Sequence, residues 1–143
     1  MKKVCFDTGI FLMYFGKDSQ SREKILSILK GSLEGKYEIH VLKPVISEIV
    51  CKFCLLKGKD AARNNIYALL KRYPFHEIPL DYSLLFDSGI LKAQDRIRLS
   101  YNDCFSITYC VLNKIPFHTT EKKLKNIPLP TLQKLKVVTY EWI

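Results

Sequence analysis

Apolar residues along this chain follow two patterns, which predict an alternation of strands and helices. Short apolar runs rich in Val, Ile, Phe and Tyr are typical of buried strands. These runs occupy residues 3–7, 37–42, 75–80, 115–119 and 136–140. Between them, apolar residues recur at a spacing of three or four, which predicts helices with one buried face. The helical stretches are 10–15, 25–33, 43–57, 60–72, 81–91 and 100–112.

Polar residues mark where several of these helices should begin. Ser19 or Ser21, Asp60, Asp81 and Ser100 each stand just before or near the start of a helical stretch, and such residues satisfy free backbone N–H groups there. Strands that alternate with helices indicate βαβ crossovers and a mainly parallel sheet covered on both faces. We therefore predict an α/β fold, a three-layer α/β/α sandwich, and one domain over residues 1–143, since neither a repeat nor a linker divides the chain.

Composition and charge narrow the class of protein. The chain has 143 residues, and 48% of them are apolar, which excludes disorder for most of its length. Its 23 Lys and Arg exceed its 14 Asp and Glu by 9, so an anionic partner is expected, with nucleic acid favoured over membrane. Five cysteines without a secretory signal indicate a reducing compartment. Without an apolar run of ~20 residues, we predict a cytoplasmic protein that does not enter a membrane.

Four acidic residues stand at junctions between elements. Asp7 ends the first strand, Glu48 lies one turn into the helix after the second strand, Asp103 lies in the first turn of the helix from Ser100, and Glu121 follows residues 115–119. In a parallel sheet these positions converge at the edge where ligands bind. Clustered carboxylates repel one another unless cations neutralise them. Oxygen ligands of this kind suit Mg²⁺ or Mn²⁺, ions that activate water for hydrolysis of phosphodiesters.

Each of these acids also has an ordinary structural explanation. Asp7 could be a turn residue at a strand end, and Asp103 fits a capping box with Ser100. Glu48 could be a solvated helix residue, and Glu121 could favour the first turn of a short helix. One acid alone is therefore not specific, and the metal-site hypothesis depends on the order and context of all four.

The segments around these acids resemble the motifs of PIN-domain ribonucleases, and the likeness runs from residue 3 to about residue 140. In chain order the four segments read Val4-Cys-Phe-Asp7-Thr8, Pro44-Val-Ile-Ser47-Glu48-Ile49, Leu99-Ser-Tyr-Asn-Asp103 and Phe117-His-Thr119-Thr-Glu121-Lys-Lys-Leu124. The resemblance implies a metal-dependent endoribonuclease with Mg²⁺ or Mn²⁺ as cofactor and RNA as substrate. Many short PIN proteins are VapC-type toxins inhibited by a small antitoxin, so the resemblance also implies a toxin role and that partner.

The resemblance assigns roles residue by residue. Asp7, Glu48 and Asp103 correspond to core metal ligands, while Glu121 would act through water or a second ion. Small polar residues would position the acids or a substrate phosphate, namely Thr8, Asn102 and Thr119. Glu121 replaces the usual Asp, which leaves open an alternative: a catalytically silent PIN-like module that binds RNA or protein. Family members commonly form homodimers through helices after the first two motifs, where the candidate contacts are Phe53, Leu55, Leu56 and Tyr67.

Other polar and reactive residues receive structural interpretations. Cys51 and Cys54 form a single CxxC pair without the second pair of a structural zinc site. The three histidines, His40, His76 and His118, each belong to a predicted strand and show no ligand spacing, so a structural role is expected for all of them. Three clusters of basic residues could be solvated faces, but two of them adjoin an acidic motif, which favours phosphate contacts. The clusters are Lys52, Lys57, Lys59 and Arg63; Arg96 and Arg98; and Lys122, Lys123 and Lys125.

Overall fold

A five-stranded sheet forms the centre of the fold. The computed structural model describes residues 1–16, 20–94, 99–122, 124 and 127–142. The strands are β1 (Lys2–Phe6), β2 (Tyr37–Leu42), β3 (His76–Ile78), β4 (Phe117–Thr119) and β5 (Val137–Thr139). Their order across the sheet is β3-β2-β1-β4-β5, and every neighbouring pair is parallel. The parallel sheet predicted from the apolar runs is confirmed.

Helices connect the strands and cover both faces of the sheet. They are α1 (Thr8–Phe15), α2 (Gln20–Leu33), α3 (Lys43–Lys57), α4 (Lys59–Arg72), α5 (Tyr82–Gln94), α6 (Tyr101–Asn113) and α7 (Leu129–Lys134). Helix α1 contacts α2 and α3, and α3 also contacts α4, whereas α5 packs on α6. This arrangement is the predicted three-layer α/β/α sandwich. Within the described ranges, no helix has the length and apolar character needed to cross a membrane.

Side chains of β1 alternate between the two faces, as the two-residue period of a strand requires. Phe6 points toward α1, where its ring meets that of Phe11 edge-on at 5.7 Å between centroids. Cys5 points the other way, where its thiol interacts with that of Cys110 on α6. Val4, Cys5 and Phe6 are all buried, so β1 lies in the core with helices on both sides.

Helix boundaries follow the expected signals with two exceptions. α3 begins at Lys43, next to Pro44, and ends before Gly58, whose φ of 89° suits glycine.

The expectation that Asp60 caps α4 is wrong, because α4 starts at Lys59 and Asp60 lies inside its first turn. A carboxylate there still interacts favourably with the helix dipole. Ser21 is likewise inside α2. The other proposed cap, Ser19, lies outside the described residues, as do four basic residues of the predicted clusters: Arg96, Arg98, Lys123 and Lys125.

Strands β3, β4 and β5 are each shorter than the apolar run that predicted them. Pro79 lies just beyond β3 and Pro116 just before β4, and neither residue has an N–H group to extend a strand. The short helix α7 was not predicted, because its six residues include Pro130 and carry no clear apolar period. None of these differences moves an acidic residue away from the carboxyl edge of the sheet.

Candidate functional site

A cleft of about 560 Å³ opens at the carboxyl edge of the sheet, and all four predicted acids line it. Asp7 directly follows β1, and Glu121 follows β4 after one intervening residue. These two strands are neighbours, with Phe6 paired to His118. Glu48 lies in the second turn of α3 and Asp103 in the first turn of α6. The expected convergence of the four carboxylates is therefore observed.

Asp7 is the most buried acid of the cleft, with 5% of its surface exposed. One carboxylate oxygen accepts a hydrogen bond of 2.7 Å from the backbone N–H of Thr8, and the other accepts one of 2.8 Å from the hydroxyl of Thr119. Burial, followed by the charge of Asp103, raises the pKa of Asp7 to about 7, although both hydrogen bonds oppose that rise. Asp7 therefore carries its charge at neutral pH only at a cost, which a nearby cation would remove.

Asp103 both caps α6 and lines the cleft, so its place in the capping box does not exclude a role in the cleft. Its backbone N–H donates to the Ser100 hydroxyl at 3.1 Å, and its carboxylate accepts from the Ser100 N–H at 3.3 Å. Burial raises the pKa of Asp103, the hydrogen bonds with Ser100 oppose the rise, and the charges of Glu121 and Glu48 add to it. The capping box thus fixes the position of an acid that lies within the electrostatic reach of three others.

Two side chains, those of Asn102 and Lys52, contact the carboxylate of Glu48. The side-chain amide of Asn102 donates to one oxygen of Glu48 at 2.8 Å and to the carbonyl of Pro44 at 3.4 Å. The ammonium group of Lys52 lies 3.2 Å from the other Glu48 oxygen. Asn102 therefore positions a candidate ligand across the α3–α6 junction, which agrees with one of the two roles that the sequence suggested for it.

Thr119 connects Asp7 to Glu121. Its hydroxyl donates to Asp7 and accepts a hydrogen bond of 2.9 Å from the backbone N–H of Glu121. Glu121 is not itself helical, and the interpretation of this residue as a helix-start acid stays a prediction, because residues 123, 125 and 126 lie outside those that the structure describes. Thr8 also lines the cleft, and its buried hydroxyl has no hydrogen-bond partner among the residues that the structure describes.

The cleft includes residues that the sequence did not indicate as part of a site. Gly9, Leu12, Thr120 and Trp142 all contribute to its walls. Trp142 comes from the segment after β5, and no pattern in the sequence connects it to the acids. Lys52 and Lys122, two members of the predicted basic clusters, also line the cleft, and Lys52 lies one helical turn after Glu48. The predicted basic surroundings are thus present at two positions.

The donor set of the cleft fits a hard divalent cation. All four candidate ligands are carboxylates, and oxygen donors of this kind suit Mg²⁺ or Mn²⁺ rather than softer ions. Burial raises the pKa values of both Asp7 and Asp103, and the negative charges of neighbouring carboxylates add to the rise. A divalent ion would reverse this balance and favour both carboxylates in their charged form.

Solved structures share this fold across nearly the whole chain. A chain of the VapBC2 complex from Rickettsia felis bound to a DNA fragment from its promoter has a TM-score of 0.73 at 18% identity, covering 97% of this chain and 99% of that chain. FitAcB from Neisseria gonorrhoeae gives 0.68 at 12% identity, covering 95% and 96%. The sarcin-ricin loop cleaving toxin VapC20 from Mycobacterium tuberculosis gives 0.63 at 13% identity, covering 80% and 86%. None of the curated protein sequences matches this chain.

A family model, described as the PIN domain, matches residues 4–129 of the sequence. The match includes Asp7, Glu48, Asp103 and Glu121, together with β2, β3, β4 and the last three residues of β1. The chain therefore belongs to the PIN-domain family.

Proposed function

We propose that this protein is a metal-dependent endoribonuclease and the toxin of a toxin–antitoxin pair. The observation that carries the nuclease proposal is the convergence of four carboxylates in one cleft, two of them with raised pKa values. Divalent metal ions are the usual cofactors of PIN domains. In this proposal Asp7, Glu48 and Asp103 hold Mg²⁺ or Mn²⁺, and Glu121 acts through water or a second ion.

The chain's own residues prepare this cleft for a phosphodiester. A divalent ion bound there would orient and activate water and stabilise negative charge on the phosphate. Thr119 and the Thr8 N–H fix both oxygens of Asp7, and Asn102 fixes one oxygen of Glu48. These two acids are thereby held in place before substrate arrives, which lowers the cost of assembling the site.

Lys52 and Lys122 give the cleft a basic rim that suits RNA. Both line the cleft, and Lys52 already pairs with Glu48. Contacts of lysine with backbone phosphates provide affinity without reading sequence, and they weaken as salt increases. The proposal therefore concerns RNA as a class of substrate.

Substitution of Asp103 tests the nuclease proposal directly. Asp103→Asn keeps the size of the side chain and can still accept from Ser100, so the helix start should survive. We expect cleavage of an RNA substrate with Mn²⁺ to fall at least ~100-fold in this variant, because one oxygen ligand and one negative charge are lost. Asp87→Asn, on the exposed face of α5, is the matched control. A folded Asp103→Asn protein that cleaves RNA as fast as the unaltered protein would exclude this assignment.

The toxin role rests on the structural neighbours. The solved structures similar to this chain include one described as a toxin–antitoxin complex from Klebsiella pneumoniae and the toxin VapC20. We propose that this chain binds a small antitoxin and acts in the cytoplasm. Expression of the chain alone should arrest growth, and co-expression of an antitoxin encoded beside it should restore growth. An active nuclease that leaves growth unaffected would contradict the toxin role and leave the nuclease intact.

We further propose a homodimer formed through α3 and α4, as the resemblance to PIN-domain proteins implies. Leu55, Leu56 and Tyr67 on these helices are exposed and provide apolar surface for such contacts. Phe53 is a correction to the predicted set: it is buried, because its ring packs against Phe15 at 4.9 Å. A Leu56→Glu substitution should shift the protein from dimer to monomer in light scattering, whereas an unchanged mass would place any dimer contact elsewhere.

A specific contact also supports the catalytically silent alternative. Lys52 already neutralises Glu48 at 3.2 Å, and Glu121 stands where the family usually has Asp. A protein that retains RNA but does not bind a metal would fit this pattern. Calorimetric titration with Mn²⁺ distinguishes the two functions, since RNA affinity without Mn²⁺ binding favours the silent module.

A further inference from the structure

We propose that Glu38, His40 and His76 form a second metal site, for a transition metal ion of the Zn²⁺ class. The site lies on β2 and β3 and shares no residue with the acidic cleft. One ligand atom from each of the three residues lies within 4.8 Å of the other two, and this is the one such group within the described ranges. The sequence predicted structural roles for both histidines, and the structure instead brings them together with Glu38.

The sheet brings the three residues together on one face. Glu38 and His40 are two positions apart on β2, so their side chains point to the same side. His40 pairs with His76 on the neighbouring strand β3, and the two rings stack at 5.2 Å between centroids with 13° between their planes. Nε2 of His76 lies 3.1 Å from Glu38 Oε1, and Nε2 of His40 lies 3.7 Å from the same oxygen. Two imidazole nitrogens and one carboxylate oxygen therefore surround one small volume.

His40 provides the independent indication that a ligand is missing. This residue is 7% exposed, and its Nε2 atom has no hydrogen-bond partner in the described part of the chain. Its other nitrogen, Nδ1, lies 2.6 Å from the hydroxyl of Tyr109 on α6. Leaving a buried polar atom without a partner is unfavourable. A metal ion at Nε2 would satisfy it, with Nδ1–H donating to Tyr109 as in the outer shells of many metal sites.

The donor set indicates which ions would bind. Two imidazoles and one carboxylate make up a ligand set that holds Zn²⁺ in proteins, with water at the fourth position. Mg²⁺ prefers oxygen donors only, so it should bind this site weakly. Lys3 lies 4.0 Å from the second oxygen of Glu38; its positive charge reduces affinity for a divalent ion but leaves Oε1 available. The half-exposed His76 gives the ion a route from solvent.

The ordinary alternative is a simple ion pair between Glu38 and His76, with His40 as a packing residue. The two explanations differ in what Zn²⁺ does to the imidazoles. In the ion-pair explanation, Zn²⁺ leaves the signals of both histidines unchanged. In the metal-site explanation, both coordinate the ion together at one equivalent of Zn²⁺, and His40 is fixed as the Nδ1–H tautomer.

Nuclear magnetic resonance of the imidazole groups tests the proposal, because the chain has only three histidines. The experiment uses the full chain with Cys51→Ser and Cys54→Ser, which removes the most accessible thiols, and titrates Zn²⁺ alone. We expect the signals of His40 and His76 to shift together, while those of His118, which is buried and bonded to Tyr140, stay in place. Unchanged signals for His40 and His76 would overturn the site.

Variants separate this site from other metal ligands. His76→Gln and Glu38→Gln should each lower Zn²⁺ affinity at least ~100-fold, because each removes one of three ligands, whereas the exposed neighbour Glu77→Gln is the matched control and should leave it unchanged. Tyr109→Phe should lower affinity roughly 10-fold through the outer shell. The shifts should persist when Asp7→Asn and Asp103→Asn are combined, since the cleft is not involved. Zn²⁺ affinity that survives His76→Gln, or is lost with the cleft acids, would contradict the proposal.

Discussion

The hydroxyl of Thr119 donates a hydrogen bond of 2.8 Å to Asp7, a residue 112 positions earlier in the chain. The same hydroxyl accepts the N–H of Glu121 at 2.9 Å. Thr119 is fully buried and belongs to β4, which is paired with β1. One side chain therefore holds the carboxylate of Asp7 and the backbone of Glu121 at the ends of adjacent strands.

Thr119→Val should damage the cleft while keeping the shape of the side chain. Asp7 loses a donor, so its pKa rises further, and the N–H of Glu121 loses its acceptor. We expect unfolding free energy to fall by about 1–3 kcal/mol and RNA cleavage to fall roughly 10- to 100-fold, as for other residues that orient ligands. Thr139→Val, at the position on β5 paired with Thr119 but exposed, is the control and should change neither property.

Asp7→Asn should make the metal-free protein more stable although it removes activity. The pKa of the Asp7 carboxyl is raised from 3.8 to about 7 in the folded protein, so the unaltered protein loses stability as pH rises through this interval. At pH 8, in the presence of a chelator, the variant should be more stable to urea by about 1–3 kcal/mol. Addition of Mn²⁺ should stabilise the unaltered protein but not the variant. A variant less stable than the unaltered protein at pH 8 would contradict the inference that the buried charge of Asp7 lowers the free energy of unfolding.

Lys52→Gln should increase affinity for the metal ion in the cleft. Lys52 competes with an ion for Glu48, from which it lies 3.2 Å away, but it is half exposed. Exposed ion pairs contribute ~0.2–1 kcal/mol, so Mn²⁺ affinity should rise about two- to fivefold by calorimetry. Lys57→Gln, near the end of the same helix, is the control for net charge. Equal effects of the two substitutions would show that Lys52 acts only through the overall charge of the protein.

Gly9→Ala should disturb the cleft because Thr120, the residue after β4, lies close to α1 at this point. A Cβ atom on Gly9 would lie 1.9 Å from the hydroxyl oxygen of Thr120 and 3.0 Å from its Cβ. Relief of this overlap requires Thr120 to move, and with it the adjacent Glu121, so we expect a loss of about 1–3 kcal/mol and reduced cleavage. Gly89→Ala on α5 meets nothing within 4 Å and should stabilise the protein by about 0.5–1 kcal/mol in thermal or urea unfolding.

Acid should destabilise the fold through His118. Burial, with a smaller effect from Lys24, lowers the pKa of this imidazole from 6.5 to about 4. Below its ordinary pKa the unfolded chain binds a proton that the folded protein excludes, so stability falls as pH falls from 6.5 toward 4.

For His118 alone this loss amounts to about 2 kcal/mol between pH 7 and pH 5. Asp7 titrates with the opposite slope, so the measurement is the difference between the unaltered protein and His118→Gln. The variant should lack that part of the pH dependence in urea unfolding. Parallel curves would contradict the assignment.

The sequence predicted the sheet and the cleft because both depend on local features. Each strand and most helices have an apolar period within a few residues, and Asp7, Glu48 and Asp103 each stand at an end of such an element. A parallel sheet brings these ends to one edge, so the convergence needed no knowledge of side-chain contacts. The PIN-like motifs around the acids indicated the class of chemistry, metal-dependent cleavage of RNA. The family match over residues 4–129 supports the fold and the family.

Features that depend on pairing between distant segments could not be predicted. The meeting of His40 and His76 requires the register between β2 and β3, and a shift of one residue would place these side chains on opposite faces. Trp142 reaches the cleft only through the path of the chain after β5. The start of α4 at Lys59 was missed because Gly58 adopts a positive φ, which allowed the helix to begin one residue before Asp60.

The strand order gives the cleft a fixed time of appearance during synthesis. β1 is made first but occupies the centre of the sheet, between β2 and β4. Asp7 therefore cannot bond to Thr119 until the ribosome has added 112 further residues. At ~5–20 residues per second this synthesis takes roughly 6–22 s. A chain whose synthesis stops before β4 lacks Glu121 and also Thr119, the side-chain partner of Asp7. Incomplete products of translation consequently cannot assemble the four-carboxylate cleft.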